Sequence, residues 1–259
     1  TGTTVIDAGA GLALTGSGSI ASPTITVNGV FDVSGASGAL PFTHFTGTGN
    51  IRLGNGVLSI AGNGGESDFT GAITQAAGYG NGAVTIASGH QTVATDWSYG
   101  GITTLLNGAS MTIGDGAGNG SLSGAIALNG GTLTTNRTGT VQVNGLSGAG
   151  TLKIAGPGTT NLAGSGVFTG NVIVADGTLS LSGPNQLLAA SSVALTGANA
   201  VLNVGAGIGE RINNLSGVAG SRVNLGPKGL TVNNSAATLF AGTLQEATFP
   251  GSSGFLKNG

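Results

Sequence analysis

The sequence predicts an all-β chain wound as a parallel β-helix of roughly ten rungs. Three observations carry this: an Asn-Gly dipeptide on a regular beat, a second ladder out of phase with it, and apolar residues alternating with period two. The dipeptide stands at Asn28-Gly29, Asn55-Gly56, Asn81-Gly82, Asn107-Gly108 and Asn129-Gly130, an almost even spacing. Four further copies, at 63, 119, 144 and 258, fall off the beat, so the spacing carries the signal and the dipeptide alone does not.

The second ladder has the form large apolar, small, Gly. Its members are Phe45-Thr46-Gly47, Phe69-Thr70-Gly71, Leu122-Ser123-Gly124, Leu146-Ser147-Gly148, Phe168-Thr169-Gly170, Leu215-Ser216-Gly217 and Phe240-Ala241-Gly242. The steps from Phe69 to Leu122 and from Phe168 to Leu215 are close to twice the others, so these two are doubled periods. Trp97-Ser98-Tyr99-Gly100 lies near the first missing beat and Ala190 near the second. One period of about 25 residues shared by two ladders is the mark of stacked near-identical rungs. A single rung cannot bury its apolar face alone, so stacking is what stabilises each one.

Between the punctuation, apolar residues fall at alternate positions: Ile25 and Val27, Ile51 and Leu53, Val84 and Ile86, Val141 and Val143, Leu179 and Leu181, Leu202 and Val204. Thr and Ser occupy the positions between, which is the pattern of half-buried strands. Gln186 to Ala190 has room for one turn of helix, too short to stand alone. Asn-Gly between strands is also a hairpin signal, and antiparallel hairpins would give a sandwich or barrel. A coil fits better because hairpins do not require a second ladder in step with the first. In the coil each Asn-Gly is expected at a corner, with Gly supplying a positive φ.

Composition narrows the function classes. Gly makes up 53 of 259 residues, charged residues 6%, aromatics 4%, and there is no Cys. Glycine without a third-residue period excludes collagen, and a mean hydropathy of +0.32 with net charge −2 is unlike a disordered chain. The seven basic residues are scattered, which argues against nucleic acid. No apolar run reaches the length of a membrane-spanning helix, and no signal peptide opens the chain at Thr1.

From Leu146 to Gly170 the chain reads Leu-Ser-Gly-Ala-Gly-Thr-Leu-Lys-Ile-Ala-Gly-Pro-Gly-Thr-Thr-Asn-Leu-Ala-Gly-Ser-Gly-Val-Phe-Thr-Gly. This segment and its continuation from Val172 to Asn185 resemble the passenger-associated repeat of bacterial autotransporters. Ile212 to Gly217, followed by Val223 to Gly226 and Gly229 to Asn233, is similar to a further copy, and Gly254 to Gly259 to the opening of another. The resemblance covers residues 140–259, with 1–139 as looser rungs of one 1–259 passenger fragment. It implies that the parallel β-helix is right-handed, and that the chain is a surface-displayed or secreted adhesive segment, exported through a barrel outside this chain and located at the bacterial surface or outer membrane. A chain that stops mid-repeat implies a longer parent protein. The implied partners are a host surface protein or glycan, or sister cells through self-association. The alternatives are a polysaccharide-active β-helix enzyme and the passenger of a two-partner secretion system.

Candidate chemistry is sparse, and no catalytic, cofactor or metal residue is assigned. Asp7 and Asp32, one ladder period apart in matching contexts, are candidates to stack on adjacent rungs, at a spacing close to the carboxylate gap of retaining glycosidases. Two exposed acids are the plainer reading. Glu66 and Asp68 face one side of a strand with too few carboxylates for a calcium site. Gly114-Asp-Gly-Ala-Gly-Asn-Gly120 resembles a calcium-binding nonapeptide turn but occurs once, where tandem copies are needed. His44 and His90 lie about two rungs apart, and with no Cys or His/Glu cluster a zinc or thiol centre is excluded. The chain has no Gly-x-Ser-x-Gly elbow, and Gly78-Tyr-Gly-Asn-Gly82 precedes no predicted helix that would cradle phosphate. Gly89-His90-Gln91 is the sole hint of a pectin-type motif. The one candidate recognition patch is aromatic: Trp97, Tyr99 and Tyr79, with Trp97 as a core replacement for Phe the competing reading.

Overall fold

The computed structural model describes residues 2–67, 69–183, 185–187, 191–205, 209–246 and 254–258, with the side chains of 39 and 63–67 left out. Among these the chain is all β, with parallel strands stacked as a β-solenoid of about eleven turns. Strand after strand pairs in parallel with the strand one turn on, so the hairpin alternative falls: Asn-Gly separates strands of the same turn and does not fold one back on the next. Two compact units are resolved, Thr1–Asp115 with Asn119–Gly131, and Gly116–Gly118 with Thr132–Gly259.

In the first unit three larger parallel sheets and a two-stranded one, Asp96–Trp97 with Ser121–Leu122, surround the core. Thr4–Ile6, Thr24–Val27 and His44–Thr46 form one. Gly11–Gly16, Val30–Ala36, Asn50–Leu53 and Ala72–Gln75 form the second. Ala39–Phe42, Val57–Ser67, Ala83–Val93, Thr103–Leu106 and Ser110–Ile113 belong to the third. Alternate residues of each strand point inward, so Ile25, Val27, Phe31, Ile51, Ile73, Val84 and Leu105 are fully buried. Aromatic rings fill the early turns: Phe31 meets Phe42 edge-on at 5.6 Å, and Phe45 lies 5.2 Å from Phe42 and 6.3 Å from Phe69.

The second unit repeats the pattern with a core mainly of Leu, Val and Ile, together with the fully buried Phe168. Thr140–Ile154 pairs along its first half with Thr159–Ala163, followed by Thr178–Leu181, Val201–Val204, Arg222–Leu225 and Thr243–Glu246. Its second half pairs with Asn171–Val174, then Ser192–Leu195 and Asn214–Gly217. Glu210–Ile212, Leu230–Val232 and Phe255–Lys257 make a third sheet. Leu152, Val172, Val193 and Leu215 stack in register as one buried column.

The register corrects the expected period. Thr4 pairs with Ile25, Thr24 with His44, Asn50 with Ala72 and Thr159 with Thr178, so turns vary in length and many are shorter than the ladders implied. It also reassigns the Asn-Gly beat. Gly29 packs against Ala10 at one corner, whereas Asn55 and Asn81 share a second corner, where the Asn55 side chain accepts the N–H of Asn81. Asn107 and Gly130 share a third. Two of the four steps are therefore true rung steps, and the other two also change corner. Of the five glycines on the beat only Gly108 and Gly130 have positive φ. At Gly29, Gly49 and Gly71, stacked at one corner, the requirement is space: an added Cβ would lie 2.1–2.2 Å from the carbonyl oxygens of Ala10, Gly29 and Gly49 respectively.

Candidate functional site

The second sheet of the first unit carries an outward row in strict register: Ala13 beside Asp32, Asp32 beside Arg52, and Arg52 beside Thr74. Because strand residues alternate, these polar groups face out while Phe31, Val33, Ile51, Leu53 and Ile73 face in. Over the row lies a concavity of about 570 Å³, lined by Asp32, Ser34, Asn50, Arg52, Thr74 and, at one lip, Tyr79. A second hollow of about 290 Å³ adjoins it and shares Asp32 and Arg52.

Neighbouring bonds fix part of this face. Asp32 Oδ1 accepts the Ser34 N–H at 2.9 Å, and the Thr74 hydroxyl donates to Asn50 Oδ1 at 3.0 Å. Gln75 is a structural brace: its Nε2 donates to the carbonyls of Leu53 and Gly54, and its Oε1 accepts the N–H of Gly82 at 3.0 Å. Asn55 Oδ1 accepts the N–H groups of Gly80 and Asn81 at 3.1 and 3.2 Å. Together they clamp the loop that carries Tyr79, the segment read from sequence as Gly78-Tyr-Gly-Asn-Gly82. Arg52 is exposed, and no ion pair joins it to Asp32 among the described residues.

The three aromatic residues of the predicted recognition patch part company. Trp97 is 1% exposed, with its indole N–H donated to the Gly71 carbonyl, and it pairs in register with Ser121-Leu122 through Asp96-Trp97. Tyr99 is 3% exposed, its hydroxyl 2.6 Å from that of Thr103, and burial pushes its phenol well above the ordinary range. Tyr79 alone stands at the surface, at 39%. Trp97 and Tyr99 are core, as the competing reading had it for the tryptophan.

The carboxylate pair does not form. Asp7 lies in the turn after Thr4–Ile6, where its carbonyl approaches Gly29, and Asp32 has Ala13 and Arg52 as its rung neighbours. Glu66 and Asp68 fall outside the described residues, apart from the backbone of Glu66, which pairs with His90. His90 itself spends both ring nitrogens on hydroxyls, Nδ1 on Ser110 at 2.8 Å and Nε2 on Thr92 at 3.3 Å, and lies on a different sheet from His44. The Gln91 side chain points inward, donating to the Phe69 carbonyl. In the Gly114–Gly120 turn, Asn119 Nδ2 donates to Asp115 Oδ2 at 2.8 Å, so the carboxylate is engaged by its own loop. Among the described residues no group of three or more His, Cys, Asp or Glu is placed to hold a metal ion.

The second unit contributes one buried acid that sequence reading missed. Glu210 is 1% exposed, and its two oxygens accept the N–H groups of Gln186 and Leu187 at 3.2 and 3.3 Å. Burial raises its carboxyl above the usual range against the opposing pull of these N–H groups. Nothing in the Glu-Arg-Ile triplet marks the Glu as inward-facing except its alternation with Ile212.

Asp32, Arg52 and Thr74 were legible in principle as outward polar residues on successive strands, but the ladder period joins Asp32 to Asp7 instead. Comparison of the chain with protein-family models, with curated proteins and with solved structures gives no significant match.

Proposed function

We propose that this chain is a structural and adhesive segment of a surface-displayed or secreted bacterial passenger of the autotransporter type. The observation that carries the reading is the repeat at residues 146–185, which falls on successive solenoid turns where Thr159, Asn161, Thr178 and Ser180 face outward. Gln142, Asn161, Ser180, Asn203, Asn224 and Gln245 form one such outward column, tied in places by amide-to-amide bonds of 2.9 and 2.7 Å. A solenoid of this kind resists unfolding through stacked hydrogen bonds and presents long polar faces, which suits a stalk that holds or forms a contact surface. Its partners are a host protein or glycan, or a second bacterial cell.

The test displays the chain on a non-adherent bacterium through a heterologous translocator barrel. Attachment to epithelial cells and matrix-coated surfaces, and sedimentation by clumping, are compared with cells carrying the barrel alone. A rise in either supports the reading. Equal attachment and clumping, together with release of reducing sugar from polysaccharide by the purified chain, replaces it with the enzymatic alternative.

A further inference from the structure

We infer that the row Asp32, Arg52 and Thr74, lipped by Tyr79, is a binding site for a short neutral oligosaccharide. The inference rests on the adhesive reading above and names the ligand class for one face of it. Shape comes first. The four strands of the sheet span about 14 Å at about 4.8 Å per step. Two hollows meet over Asp32 and Arg52, so a ligand made of repeated units straddles these residues with a ring on either side.

Chemistry selects the ligand. Asp32 commits one oxygen to the Ser34 N–H and leaves the other open, while the Arg52 guanidinium has no hydrogen bond or ion pair among the described residues. A carboxylate acceptor next to a planar fork of N–H donors matches a pair of neighbouring sugar hydroxyls, each of which donates and accepts. The two charges cancel and the rest of the lining is hydroxyl, amide, the small apolar Ala76 and Ala77, and Tyr79, so an uncharged sugar fits and an acidic one finds no net positive charge to favour it. Tyr79, the exposed aromatic side chain among the described residues of this unit, supplies an apolar surface for the C–H face of a pyranose ring.

Preorganisation favours binding. After the ring, Gln75 and Asn55 hold the Tyr79 loop by accepting the N–H groups of Gly82, Gly80 and Asn81, and before it the Tyr79 N–H donates to the Ala76 carbonyl at 3.2 Å, so little order is lost when a ligand settles. A peptide added as an extra strand is a poor fit, because Val30–Ala36 and Asn50–Leu53 are already paired on both sides.

The experiment titrates the whole 259-residue chain by calorimetry with cellotriose, maltotriose, mannotriose and chitotriose, and with trigalacturonate as the acidic comparator. At least one neutral trisaccharide is expected to bind with Kd at or below about 1 mM. Tyr79→Ala and Arg52→Gln should each weaken it about tenfold or more with the circular dichroism spectrum and unfolding midpoint unchanged, and Tyr79→Phe should keep it. Failure of every neutral trisaccharide, tighter binding of trigalacturonate, or binding indifferent to both substitutions overturns the inference. Displayed cells that attach to protein-coated surfaces while the purified chain binds no sugar would sink the groove and spare the adhesive reading. Sugar binding by a chain that confers no attachment or clumping would do the reverse.

Discussion

The indole N–H of Trp97 donates to the carbonyl oxygen of Gly71, one turn back, at 3.1 Å. This bond lets a ring with a polar edge occupy a site otherwise held by Phe and Leu, since a buried N–H without a partner would be costly. Replacing Trp97 with Ala should cost about 3–5 kcal/mol through the cavity it leaves. Urea unfolding followed by circular dichroism measures this. The fluorescence of this single tryptophan should also shift to the red as the wild-type chain unfolds. A loss below about 1 kcal/mol would show that the ring is not core.

Gly49 sits between Gly29 and Gly71 in a corner where backbones nearly touch. A methyl group there meets the Gly29 carbonyl at 2.2 Å, and backbone cannot swing aside as a side-chain tip can. Gly49→Ala should destabilise by about 2–4 kcal/mol. Gly139→Ala, where an added Cβ meets nothing within 4 Å, is the control and should be neutral or mildly stabilising. Similar melting temperatures for the two variants would count against the close stack.

Asn55 and Asn81 occupy one corner in successive turns but do different work. Asn55 accepts two N–H groups from the next turn, and Asn81 is exposed at the receiving end. Asn55→Ala should therefore cost about 1 kcal/mol and loosen the Tyr79 loop, whereas Asn81→Ala should stay within about 0.5 kcal/mol. Amide hydrogen exchange at Gly80 and Asn81 reads the loosening directly, and unchanged exchange in the Asn55 variant would refute it.

Glu210 gives the fold a pH dependence with a definite sign. Burial raises its folded pKa, so the folded chain holds a proton where the unfolded chain has released it. The stabilisation this brings is fully present below the ordinary carboxylate range and is lost as pH rises through the raised folded value. Urea unfolding at a series of pH values should show wild type losing stability across that window, and Glu210→Gln should flatten the loss. Parallel curves for the two proteins would contradict the assignment.

How much was legible in the sequence depends on how local the governing rule is. Ile25-Thr26-Val27 and Leu179-Ser180-Leu181 announce strands because alternation is a property of the strand itself. The large-apolar-Gly ladder found true stacking partners where turns were similar: Phe69 bridges Gly47, Leu122 pairs with Trp97, Phe168 bridges Gly148 and Phe240 bridges Gly217. At the second missing beat, expected near Ala190, Leu187 bridges Phe168, three residues early, and Ala190 itself lies outside the described residues. The cause is that neighbouring turns differ by several residues, so a fixed period drifts from one corner to the next.

Residue type and short-range pattern were enough for the parallel coil and the inward apolar set. Which distant residues share a rung was settled by folding alone. It set Asp32 beside Arg52 instead of Asp7, turned Trp97 and Tyr99 into the core, left Tyr79 outside and buried Glu210. Register separates the two: one residue of slip in a strand sends a side chain to the opposite face, and the length of each turn sets that register.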